Sequence, residues 1–83
     1  MNNAIMVMRM ELAKEQKAYT ENKIKAVRLL RELLEYANPY FGDDIFMLKA
    51  DEIVSAAKDL KDVKDKLTAN ADKIKQLMKD LGE

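Results

Sequence analysis

Carboxylates are the one residue class in this chain that is both abundant and spaced in a way that suggests chemistry. Glu32 and Glu35 form an E-x-x-E pair, and Asp59 and Asp62 form a D-x-x-D pair. A three-residue step puts both members of a pair on one side of a helix. Two such sides turned toward each other could offer clustered oxygens to a hydrated divalent cation. Basic residues flank the same carboxylates at helical spacing, however. Arg28 precedes Glu32 by one turn, Arg31 precedes Glu35, and Lys58 and Lys66 bracket Asp62. Alternating charge of this kind is the pattern of a solvated helix face.

The paired spacing loosely resembles the magnesium-binding pattern of all-α nucleotide pyrophosphohydrolases, a resemblance that would imply metal-dependent turnover of a nucleotide. Nothing else in the composition supplies catalysis. The chain has no cysteine and no histidine, so its one serine, Ser55, and its two threonines have no obvious activating base. Gly42 and Gly82 stand alone, which rules out a glycine-rich phosphate loop. Asp43 and Asp44 lack the further ligands of a calcium loop and are read as helix-capping carboxylates. We expect no enzyme, no catalytic residues, no metal and no cofactor.

The elements that position these residues are helices. Ile53, Leu60, Leu67, Ile74 and Leu81 recur every seven residues, with Ala56, Val63, Asn70 and Leu77 three behind. That is an a/d seam held over four heptads. Thr68–Asn70 could cap a separate last helix, but the heptad phase runs through it unchanged, which favours one helix bent there at most. Gly82 suits the helix end, and Lys79 its last turn. In the first half, Ile5, Met8, Leu12, Tyr19, Ala26, Leu30, Leu33 and Ala37 form one stripe, widened by Ile24, Val27 and Leu34. Pro39 ends that helix near Asn38.

The expected fold is therefore an all-α antiparallel helical hairpin forming one domain over 1–83, with helix one at about 3–37, a turn at 38–43 and helix two at about 44–82. Two helices enclose little core, and a chain of 83 residues without disulfides or zinc ligands is marginal alone. Self-association into a four-helix bundle is the economical remedy, with a homodimer favoured and Ile5, Met8, Leu12, Ile24, Val27 and Leu34 as the oligomer interface.

Three surfaces compete as binding sites. Tyr36, Tyr40, Phe41 and Phe46 gather four of the five aromatic rings at the turn, where they could contact a partner protein. A fold point at residues 40–41 would set Tyr19, Gln16, Thr20 and Lys23 opposite Lys58, Asp62 and Asp65, with Lys64 and Asn70 nearby. Tyr19, Lys23, Gln16 and Lys58 would then line a layer able to fix register or to hold an anionic or nucleotide-like ligand. Lys14, Lys17, Lys25 and Arg28 lean to one side of helix one, but glutamates interleave with them. The fifteen basic and fifteen acidic residues cancel, so nucleic acid is not an expected partner.

No stretch is long enough to span a bilayer, and no basic residue precedes the short run Ala4–Met8 as a secretory signal would require. Together with the lack of cysteine this gives a cytoplasmic expectation. The functional expectation is a non-enzymatic interaction protein that inhibits, bridges or regulates an unidentified partner protein through its helical faces or the aromatic turn; the alternatives are an oligomer that sequesters an anionic or nucleotide-like small molecule, and a nucleic-acid-binding helical protein. Its size suits a complete small reading frame, of the kind found among phage or mobile-element accessory proteins.

Overall fold

A computed structural model describes residues 3–38 and 48–83 of the chain. Two helices account for nearly all of them: α1, Asn3–Tyr36, and α2, Ala50–Asp80. At ~1.5 Å per residue they run roughly 51 Å and 46 Å. They pack side by side and antiparallel. Arg9 near the start of α1 pairs with Glu83 just beyond α2, while Lys49 at the start of α2 lies over the Tyr36 ring at the end of α1.

The packing seam of α2 follows the heptad pattern residue for residue. Ala56, Val63 and Leu77 are buried; Ile53, Leu60, Leu67, Asn70, Ile74 and Leu81 are half-buried. Every other described residue of α2 is exposed. On α1 the inward residues are Met8, Leu12, Glu15, Tyr19, Asn22, Ala26, Leu29, Leu33 and Tyr36, again at alternating steps of three and four. Ala18 and Glu32 flank this row and are half-buried as well.

α2 is continuous through Thr68–Asn70. The Thr68 hydroxyl donates to the Lys64 carbonyl one turn back, 3.1 Å away, and so does not cap a new helix. The C-terminus closes as a Schellman motif. Gly82 N–H donates to Lys79 O (3.1 Å) and Glu83 N–H to Met78 O (2.8 Å), with Gly82 at φ +76°. This is the left-handed conformation in which glycine is favoured.

Two expectations about geometry need correcting. Helix two starts at Ala50, not near residue 44: Leu48 and Lys49 are non-helical, and Lys49 makes no side-chain cap. Nothing in the seam calls for an earlier start, since its first member is Ile53, and Asp51 and Glu52 already place negative charge in the first turn. Asp43 and Asp44 lie outside the described residues. The later start moves the fold point. Each α1 residue meets a partner roughly one heptad further along α2 than a turn centred on 40–41 implies, as the contacts of Glu15 and Asn22 with Asn70 show.

Candidate functional site

The shifted register dissolves the expected polar layer and builds a different one. Gln16, Thr20, Lys23, Lys58, Asp62, Asp65 and Lys64 are all exposed, and only Tyr19 and Asn70 keep inward positions. Thr20 donates to its own helix at the Gln16 carbonyl. In their place, Asn70 Nδ2 donates to Glu15 Oε2 at 2.7 Å, and Asn22 Nδ2 donates to Asn70 Oδ1 at 2.9 Å. Glu15 and Asn22 stand seven residues apart on one face of α1, and Asn70 reaches both from the facing seam. The network uses both functional ends of the Asn70 amide. Its geometry suits a register lock, since α1 engages both ends of the Asn70 amide. Glu15 and Asn22 were missed as inward residues. The seven-residue recurrence Met8, Glu15, Asn22, Leu29, Tyr36 was the signal that could have found them.

At the end of the hairpin where the chain passes from α1 to α2, Tyr36 is half-buried, with Lys49 Nζ 5.7 Å from its ring centre. Tyr40, Phe41 and Phe46 lie outside the described residues. Tyr36 also borders a shallow depression of about 150 Å³ with Leu29, Glu32, Glu52, Ser55, Ala56 and Asp59. One member of each carboxylate pair, Glu32 and Asp59, therefore shares a surface, whereas Glu35 and Asp62 do not line it. Among the described residues no three acidic side chains come close enough together to hold a metal ion. Ser55 is exposed and shares this depression with the carboxylates of Glu32, Glu52 and Asp59.

A further surface feature lies on the other side of α1. Of the six residues expected to form an oligomer interface, Met8 and Leu12 belong to the internal seam, and Ile5 stands at its end with 40 % exposure. Ile24, Val27 and Leu34 point away from α2, Ile24 at 67 % and Leu34 at 64 % exposed. They belong to a second stripe of strict four- and three-residue steps: Met6, Met10, Ala13, Lys17, Thr20, Ile24, Val27, Arg31 and Leu34. At 100° per residue this stripe is centred roughly 160° from the internal seam. α1 thus carries a second row at helical packing spacing, which lies away from α2 and is exposed among the described residues. A depression of about 370 Å³ opens in the middle of the outer stripe, floored by Ile24 and Val27 and rimmed by Lys23, Arg28 and Arg31. Of the four residues expected to hold an anionic ligand, Lys23 alone reaches it. Lys14, Lys17, Lys25 and Arg28 are exposed along the same helix.

Among the described residues no helix is long and apolar enough to cross a membrane. Comparison with known proteins finds no matching family model, no matching curated protein and no matching solved structure.

Proposed function

We propose that the chain is a non-enzymatic helical interaction module whose working surface is the outer face of α1. The observation that carries this reading is the exposed stripe from Met6 to Leu34. Exposed apolar residues are ordinary when scattered singly; here Met6, Met10, Ala13, Ile24, Val27 and Leu34 fall at coiled-coil spacing along one helix, interrupted by Lys17, Thr20 and Arg31, and such spacing suits a face that docks another helix. The hairpin then acts as the scaffold. Its internal seam fixes α1 as a straight rod, and its polar lock fixes the register in which the outer face is presented. Tyr36, with Tyr40, Phe41 and Phe46 outside the described residues, is the second candidate through which such a module could bridge or block a partner protein.

Site-specific photocrosslinking in cells producing the protein tests the assignment. A photoreactive residue at Leu34 is expected to link to another polypeptide, whereas one at Lys61, on the charged outer side of α2, is expected to link to none. Equal labelling from both positions, or none from Leu34, removes the reading.

A further inference from the structure

We propose that the partner of this outer face is a second copy of the same chain, docked antiparallel so that α1 lies against α1 about a two-fold axis between Ile24 and Val27. The proposal rests on the reading of the outer stripe as a docking face and adds the occupant and its register. Charge supplies both. Beside the stripe runs a row of flanking residues one heptad apart, Lys14, Glu21, Arg28 and Glu35, alternating in sign and exposed. When Ile24 of one copy meets Val27 of the other, an antiparallel arrangement brings Glu21 beside Arg28 and Lys14 beside Glu35. Two-fold symmetry repeats each of these pairs. All four contacts are then attractive.

Other alignments are penalised. A slide of one heptad in one direction sets Glu21 against its own counterpart and Lys14 against Arg28; the opposite slide sets Arg28 against its counterpart and Glu21 against Glu35. A parallel pair sets Lys23 beside Arg28 and Arg9 beside Lys14. Discrimination by repulsion of this kind is how helix pairs select a register. Within the chain Arg28 has a contact to Glu32 through Nε at 4.0 Å, the outer limit of an ion pair. A shorter bond from the facing Glu21 competes with it readily.

The depression between Lys23, Arg28 and Arg31 sits on the proposed axis, where the partner's Ile24 and Val27 would enter it. Lys17 falls opposite Leu34 and Arg31 opposite Thr20, positions where long aliphatic stems cover apolar surface while the charged ends reach water. Because the outer face is nearly opposite the internal seam, the four helices of the dimer form a row, α2–α1–α1–α2, rather than a closed bundle.

Light scattering on the purified full chain over a concentration series reads the outcome. The wild type is expected to be dimeric. Glu21→Arg and Arg28→Glu each replace two attractions by two repulsions and should each weaken the dimer about tenfold or more, with helicity by circular dichroism unchanged. Mixing the two single variants restores complementarity at both contacts and should recover a mixed dimer, which neither variant forms by itself. A monomeric wild type overturns the proposal, as does a dimer indifferent to Glu21→Arg or one that mixing fails to restore. A monomer whose Leu34 position still crosslinks to a different protein in cells refutes self-pairing while leaving the docking face standing; a monomer without crosslinks removes both. Should either charge variant unfold, Ile24→Lys tests the same face, with loss of the dimer expected.

Discussion

α1 and α2 differ by three residues in length and share one seam, but they treat the surface outside that seam in opposite ways. Beyond its inward row α2 is overwhelmingly charged: Lys58, Asp59, Lys61, Asp62, Lys64, Asp65 and Lys66 follow almost without interruption, and exposed apolar residues such as Val54 and Met78 are isolated. α1 spreads its charges more thinly and places a second heptad row between them. A helix that needs one neighbour can devote the rest of its circumference to solvation; a helix that serves two cannot. Under the proposed reading the helices have separate tasks: α2 is the structural partner, and α1 is shared between the inside of the hairpin and a docked second copy.

Adjacent leucines on α1 give the largest expected contrast. Leu29 is 5 % exposed in the seam and Leu30 is 46 % exposed beside the outer stripe. Leu29→Ala should cost about 3 kcal/mol in chemical denaturation, in the lower part of the range for truncating a buried leucine because a two-helix seam can partly collapse. Leu30→Ala, measured at concentrations where the chain is monomeric, should cost less than about 1 kcal/mol. Similar costs for the two would mean that the faces of α1 are not distinct. On α2 the matching contrast is Val63, 2 % exposed, against Val54, 66 % exposed; Val63→Ala should be the more damaging by about 2 kcal/mol.

These contrasts also explain how much of the molecule its sequence discloses. α2 was legible because a single seam on a charged helix leaves one periodic signal, and its inward residues follow that signal at every position from Ile53 to Leu81. α1 superposes two stripes. A single row drawn through both picks up Leu30 in place of Leu29, and an oligomer interface read from it mixes Met8 and Leu12 of the internal seam with Ile24, Val27 and Leu34 of the outer stripe. It also passes over Glu15 and Asn22, whose polar side chains mask an otherwise regular seven-residue recurrence. Register was the least legible quantity, since heptad patterns repeat and a slide of one heptad preserves every apolar match. What fixes it is where α2 begins and which polar groups meet across the seam, and neither follows from hydrophobic periodicity. The candidate site suffered accordingly. The polar residues thought to face one another depended on a fold point one heptad away, whereas the outer-face residues, defined by spacing within one helix, did not depend on register at all.

The Glu15–Asn70–Asn22 network is therefore the place to sharpen the contrast between the helices, because it is where each helix interrupts its seam for the other. Asn70→Ala should destabilise the hairpin by about 1–2 kcal/mol by removing the group that satisfies both α1 side chains. Asn70→Leu should behave differently. It continues the apolar seam and is expected to recover most of that loss, while relaxing the register lock. Spin labels at Lys25 and Lys61, both exposed, would read this as a broadened interhelical distance distribution. A distribution as narrow as the wild type's would show that packing alone sets the register.

The end of the hairpin opposite the turn should yield the smallest effects, and for two separable reasons. Gly82 adopts φ +76° with open space around the position a side chain would take. Gly82→Ala is thus opposed by backbone conformation and not by a clash, and should cost about 1 kcal/mol, reduced if the last turn frays. The Arg9–Glu83 ion pair at 3.0 Å joins the start of α1 to the residues just beyond α2, and both groups are well exposed. Arg9→Ala should change stability by less than about 0.5 kcal/mol, and the difference should fade in high salt, where exposed pairs are screened. A larger, salt-resistant loss would mean that Arg9 contributes through its aliphatic stem, packing at the start of α1 where Met6 and Met10 are also exposed. The outer stripe would then extend its influence to the hairpin's own stability, and the division of labour between the two faces of α1 would hold only over its central turns.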